Sequence, residues 1–442
     1  MSKRVYILGA GASRAVNAPL QAELLFDIFD LDIDENSNNS ADLISSYSIS
    51  HELLASYPIF LEDRKKLAKF IINNFGNKNL LDSLKKKSTD WFLIFDELKK
   101  INISLEDLFT ILDKIAFSHN HFRYYNIHYI NEIKLALNRC IIYSLAHRIE
   151  TKGKGFEIYE KLSRLLVKER VASDQKDDPF SIITLNWDNI LDKYIYAACN
   201  EHNNTLEKEN NPALILPDYC FYNHYFQESD SEKYMPSFYV KAKGNFNIKI
   251  MKLHGSMNWL YCPKCNRMYI DYSKNIALET MVSASRSDYE RLHCRHCSEL
   301  YYKNYIEEDI GVCSNPILST LIITPTFLKE LNNIHLKNIW HNALIDLSEA
   351  NEVIFIGYSF PDADFEIRYL LKQSISPSTE IKVVLIQSDE PDYYKECFKS
   401  KGFSEDEIEI FISKLNLPHF RYENFFGKDK VEFNYNGFEG LL

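Results

Sequence analysis

The sequence predicts an α/β protein: a doubly wound parallel sheet, interrupted by a large helical insertion and carrying a small zinc-ribbon-like module. Three observations predict it. Short apolar runs recur at VYIL, SIITL, IKIMKL, TLIITP, EVIFIG and IKVVLIQS. The last three are bounded by polar or turn residues and separated by helix-like segments, the pattern of strands buried in a parallel sheet. From about Leu20 to Leu166 the chain instead shows helical periodicity and little glycine. Four cysteines form two CxxC pairs.

Composition bounds what such a chain does. It has 442 residues, 45% hydrophobic and 26% charged, enough for a large core or two domains. It lacks an apolar run of the length a membrane span needs, and Met1–Arg4 leads only into a short strand-like run, so a cytoplasmic protein is expected. Asp plus Glu outnumber Lys plus Arg by 62 to 51, giving −11. Direct nucleic-acid or membrane binding is therefore not expected.

The first strand, from Val5 to Leu8, breaks into Gly9, Ala10, Gly11, Ala12 and Ser13. A buried strand ending in glycines before a helix brings backbone N–H groups to a phosphate, or makes a tight structural turn. Arg14 stands where GxGxxG has its third glycine. The stretches SADLISSYSISHELLASY, EDRKKLAKFIINNF and INEIKLALNRCIIYSLAHRIE then carry apolar residues at three and four spacing. Strand character returns at PFSIITLNW. Residues 203–249 are polar and aromatic without steady periodicity, and no element is assigned to them. The expected organisation is a nucleotide-binding domain from residues 1–30 and 180–400, an insertion at 31–170, a metal module at 260–300 and a C-terminal extension at 401–442.

Ligands of doubly wound sheets collect at the carboxyl ends of strands. The polar residues there are Ser13 after the first run, Asn186 and Asp188 after SIITL, and His254 after IKIMKL. Thr324 follows LII, Gly357 and Ser359 follow VIFI, and Gln387 follows VVLI. Each has a plain alternative: Asn186 and Asp188 as caps of the next helix, His254 as a core histidine, Gly357 as a turn residue. One site explains them together.

Cys262-x2-Cys265 and Cys294-x2-Cys297 supply four thiolates to one tetrahedral zinc, with 28 residues between the pairs. Such a site is closed, so the metal staples a small module and does not activate water.

The ordered set GAGAS, TLNWD, KLHGSMNW, paired CxxC and IGYSFPDAD resembles the sirtuin-like family, over roughly residues 1–14 and 180–388. That resemblance implies a Rossmann-type domain binding NAD, with Gly9 to Ser13 on its phosphates and Asn186, Asp188 and His254 as catalytic residues. It further implies that Thr324, Gly357, Ser359 and Gln387 contact the cofactor. The chain departs from the protein-deacylating members: NAPLQAE replaces their GIPDFR-type segment, and Leu185 stands where a Gln usually precedes the Asn. With SLEDLFTILD and GYSFPDAD, it is more similar to the bacterial sirtuin-like proteins that hydrolyse NAD in antiviral, abortive-infection defence.

The expected function is then NAD hydrolysis to nicotinamide and ADP-ribose, with Asn186 anchoring a ribose hydroxyl or water and His254 taking a proton. Asp188 orients the ring, binds the carboxamide or caps the following helix. Alternatives are an NAD-dependent deacylase or an NAD or ADP-ribose sensor without turnover. A GxxxxGK[ST] motif is absent. Control is therefore expected from a homo-oligomer or from a separate sensor, ATPase or Argonaute-like partner.

Overall fold

The computed structural model describes residues 2–31, 50–84, 91–118, 122–152, 155–206, 214–221, 223–225, 234–235, 246–278, 281, 294, 296–297, 318–323, 333–362 and 364–441. Among these, seven strands form one sheet: β1 (Arg4–Leu8), β2 (Phe180–Thr184), β3 (Ile215–Asp218), β6 (Phe246–Lys252), β10 (Glu352–Ile356), β11 (Glu380–Val384) and β12 (Val431–Asn434). Their order is β12-β11-β10-β1-β2-β6-β3, and every pairing is parallel. The chain fills one side of β1 with β2, β6 and β3, and the other with β10, β11 and β12. The order reverses between β1 and β10, which makes their carboxyl ends a topological switch point. The expected doubly wound α/β architecture is present.

Burial on both faces explains the apolar runs: β2 is buried at all five positions. Helices α8 (Glu157–Ala172), α9 (Ile190–Thr205), α10 (Ile334–Glu349) and α11 (Phe365–Ser374) complete this core. At the opposite end of the strands, Lys3 binds Asp178 and Asp346 at 2.7 Å each and Glu349 at 2.8 Å, while Lys249 reaches Asp346 at 2.8 Å.

The insertion has its own core, built from α2 (Gln21–Asp30), α3 (His51–Phe75), α5 (Trp91–Leu98), α6 (Leu105–Ser118) and α7 (Ile127–Lys152), with α4 (Lys78–Leu84) alongside. Phe60, Phe70, Leu108 and Ile142 are fully buried in it, and paired Arg148–Asp27 hydrogen bonds of 2.7 and 2.9 Å tie α7 to α2. The same core takes in Trp187 and Met257 from the sheet domain. Helix α8, which falls within the expected insertion, packs on the sheet through Ile158, Leu162 and Leu166.

A second sheet, ordered β5-β4-β8-β7-β9, contains β4 (Asn223–Tyr225), β5 (Tyr234–Met235), β7 (Gly255–Tyr261), β8 (Met268–Ile270) and β9 (Ser319–Ile322). This corrects one expectation. The TLIITP run does not join the parallel sheet; β9 pairs antiparallel with β7. Only one of its four positions is fully buried, as suits a strand covered on one side. Strand β3 lies in the stretch left unassigned: its Pro217 masks the signal and is tolerated because β3 is an edge strand. Beyond β11, α12 (Pro391–Ser400), α13 (Glu405–Lys414) and α14 (Pro418–Phe426) lead to β12, so the final segment extends the main sheet. Among the described residues no helix is long and apolar enough to cross a membrane.

Candidate active site

The turn after β1 is built by close approach to the turn after β10. Gly357 has φ +59°, and a Cβ there would lie 2.2 Å from the Ala12 nitrogen. A Cβ on Gly9 would meet the Tyr358 Cα at 2.6 Å, and one on Gly11 the Gly357 oxygen at 2.7 Å. The Gly11 N–H donates to that oxygen at 2.7 Å, and the Ala12 N–H to the Gly9 carbonyl at 2.9 Å. The glycines therefore serve backbone contact at the switch point. The helix that follows, α1 (Ala10–Ser13), is a single turn, so its dipole is short.

Ser13, Asn186, Asp188 and His254 meet at one cleft. Ala10, Ala18, Pro19, Leu185 and Trp187 line it further, and the insertion side contributes Gln21, Leu24 and Leu145. Gln21 is itself held by the Glu106 carboxylate of α6 at 2.6 Å.

A directional hydrogen-bond chain crosses the cleft wall. The Asn186 Nδ2 donates to the Gly9 carbonyl and to Ser13 Oγ, both at 2.9 Å. A carbonyl only accepts, so the amide nitrogen is the donor and the assignment is fixed. Ser13 Oγ donates in turn to Asp188 Oδ2 at 2.7 Å. Both Asn186 N–H groups are thus spent, which leaves Oδ1 as an acceptor. The second Asp188 oxygen accepts the Ile190 N–H at 3.2 Å, the capping role among the alternatives for this residue. Burial raises the Asp188 carboxyl above its ordinary range, although Lys252, Ser13 and the Ile190 N–H oppose the shift.

His254 sits in the turn between β6 and β7 and is 8% exposed. Its carbonyl accepts the Ile323 N–H at 2.8 Å, while Trp187 Nε1 donates to the Ile323 carbonyl at 3.1 Å. Gly255 has φ +75°, and a Cβ there would lie 2.0 Å from the Leu321 oxygen. Strand β9 thereby clamps the histidine turn.

Not every expected residue reaches the cleft. Ala12 is buried behind the turn, and Gly11 and Gly357 form its support. Ser359 and Gln387 are exposed at the ends of β10 and β11 and do not line it. Thr324 lies outside the described residues. Conversely, sequence reasoning missed Lys252, Tyr159 and Leu145. Tyr159 is fully buried on α8 beside Ser13 and Asp188, and burial followed by the Asp188 charge pushes its phenol far up.

The four cysteines converge. Cys262 and Cys297 sulfurs are 3.8 Å apart, those of Cys265 and Cys294 3.6 Å, and all four lie within 4.8 Å of one another. A tetrahedral zinc with bonds of about 2.3 Å would space its sulfurs by about 3.8 Å, so the set fits such an ion. Tyr269 OH contacts Cys294 Sγ at 3.1 Å.

No family model and no curated protein matches the chain. Among solved structures, the chain is similar to a Sir2 homologue in complex with NAD, at 11% identity and TM-score 0.28, over 88% of this chain and 78% of that one. It is also similar to Sir2 bound to a p53 peptide and NAD+, at 13% identity and TM-score 0.29, over 86% and 80%. A third match, from work on sirtuin substrate affinity, has 13% identity and TM-score 0.28 over the same shares.

Proposed function

We propose that the chain is an NAD hydrolase that releases nicotinamide and ADP-ribose. One observation carries this reading: Ser13, Asn186, Asp188 and His254 line one cleft at the carboxyl ends of β1, β2 and β6, three adjacent strands of the main sheet.

The chemistry asks for little acid catalysis. When the bond between ribose C1′ and nicotinamide breaks, its electron pair returns to the pyridinium ring and neutralises it, so the leaving group needs no proton. Positive charge develops on the ribose, and water must add at C1′ and lose a proton. An ordinary glycosidase needs two carboxyl groups flanking the bond. Here one carboxylate, Asp188, already accepts from Ser13 and Ile190, and the base on offer is an imidazole. In the proposed reaction Asn186 Oδ1 accepts a hydrogen bond from a ribose hydroxyl or the attacking water. His254 takes the water's proton and returns it to solvent. Leu24, Leu145 and Trp187 contribute apolar surface to the cleft wall.

We further propose that Cys262, Cys265, Cys294 and Cys297 hold a structural zinc. The apolar cluster around them is small, with Leu260, Ile276 and Leu318 as its main members, so metal binding would supply much of the local stability. In the cell, the reading is an abortive-infection defence effector of the sirtuin-like type, which the motif resemblance supports. Its restraint would come from a homo-oligomer or a sensor, ATPase or Argonaute-like partner acting on the insertion. Trp187 and Met257 belong to the insertion core, which gives such an event a physical route to the site. The test is NAD cleavage by the purified chain without acylated peptide, beside Asn186→Ala and His254→Ala.

A further inference from the structure

We infer that Lys252 is a positioning residue of this site, holding the Asp188 main chain in place and supplying the positive charge behind the Asn186–Ser13–Asp188 chain. The inference rests on the reading of the cleft given above. Lys252 ends β6 between buried apolar residues, and its side chain and that of Asp192 are each 1% exposed. Burying an ammonium costs several kcal/mol unless it is paired and hydrogen-bonded. Its Nζ donates to the Asp188 carbonyl at 2.6 Å and to Asp192 Oδ2 at 3.0 Å.

The pair is anchored well beyond itself. Tyr219 OH donates to Asp192 Oδ1 and accepts from Asn258 Nδ2 at 2.7 Å. Asn258 Nδ2 also donates to the Asp271 carbonyl at 2.8 Å. The Asn186 N–H, at the other end of the turn, is held by Thr184 Oγ1 at 3.1 Å. Lys252 therefore fixes one end of the short segment that carries Asn186, and Thr184 the other.

The charge has a separate effect. Asp188 is faced by Lys252 from β6, Asp192 from α9, Tyr159 from α8, Ser13 from α1 and His254 across the cleft. The Lys252 charge opposes the rise that burial imposes on the Asp188 carboxyl. While Asp188 is ionised it only accepts, so Ser13 donates to it and accepts from Asn186. A protonated Asp188 would donate to Ser13 Oγ, turn the Ser13 hydroxyl proton away from it and loosen the Asn186–Ser13 contact, while the Gly9 carbonyl still holds one Asn186 N–H.

The test uses the full chain as Lys252→Met/Asp192→Asn, a double variant that removes the buried Lys252–Asp192 pair together and keeps an acceptor for Tyr219. Asp188 titration is followed by carboxyl-carbon NMR, assigned by the signal lost in Asp188→Asn, and the pH profile of NAD cleavage is recorded on the same samples. The Asp188 midpoint should rise by about one pH unit, the low end of what an adjacent opposite charge imposes, because the loss of Asp192 offsets part of the loss of the lysine. The acid limb of kcat should move with it, while KM stays near wild type. Lys252→Arg should restore both. Asp192→Asn alone, which keeps the lysine and removes a negative neighbour, should lower the midpoint. An Asp188 midpoint unmoved in either folded variant overturns the inference. Midpoints that move in a protein consuming no NAD refute the hydrolase reading and leave the Lys252 assignment standing.

Discussion

Gly357→Ala, set against Gly402→Ala, tests the close backbone contact on which the site is built. Both glycines have positive φ, +59° and +84°. An alanine in that region costs about 1–2 kcal/mol, partly offset by about 0.4–1 kcal/mol from reduced freedom of the unfolded chain. At Gly402 nothing lies within 4 Å of the added Cβ. Its net cost is therefore about 1 kcal/mol. At Gly357 the Cβ would also meet the Ala12 nitrogen at 2.2 Å and the Gly11 carbon at 2.4 Å, both backbone atoms unable to rotate away. Overpacking of this kind adds about 1–3 kcal/mol. Moving the β1 turn would also displace Ser13 and the Gly9 carbonyl, the two partners of Asn186 Nδ2. Urea denaturation followed by tryptophan fluorescence, with NAD turnover on the same preparations, should show Gly357→Ala less stable than Gly402→Ala by about 1–3 kcal/mol. Turnover should be impaired only in Gly357→Ala. Equal stability and equal turnover in the two variants would refute the proposed packing of the switch point.

Metal analysis should find one zinc for each set of four sulfurs, and Cys294→Ser should lower both zinc content and thermal stability. Unchanged zinc content in that variant would reject the four-thiolate site. Acid should destabilise the protein partly through Asp178. Burial alone would raise its pKa, but Lys249 and Lys3 outweigh burial and hold it below the ordinary value. A depressed folded pKa contributes stability above the unfolded value of about 3.9 that is lost as pH falls through the folded pKa. Asp178→Asn should thus cost stability at neutral pH and flatten the acid dependence, as read by melting temperature from pH 7 to pH 3.

Much of the fold was legible because its central strands are buried on both faces. VYIL, SIITL, IKIMKL, EVIFI and IKVV read as apolar runs, and all five lie in the main sheet. Partner choice was not legible: TLIITP is also an apolar run, yet β9 turns to β7. Strand β12, VEFN, alternates with charge at a half-exposed edge and leaves no run to notice. The site residues Asn186, Asp188 and His254 stood out because polar groups directly after apolar strands are conspicuous. Tyr159 and Lys252 did not, since a tyrosine on an amphipathic helix and a lysine at a strand end are ordinary until the three-dimensional packing brings them beside Asp188. The glycine turn was read as a phosphate cradle or a tight structural turn, and much of its glycine content serves backbone contact with Gly357.

The most direct measurement is NAD consumption by the purified chain over a range of protein concentrations, with nicotinamide and ADP-ribose quantified and no acylated peptide present. Equimolar release of both products is expected, abolished in Asn186→Ala and His254→Ala proteins that retain wild-type circular dichroism. NAD bound but uncleaved at every concentration, or turnover undiminished in either folded variant, would contradict it.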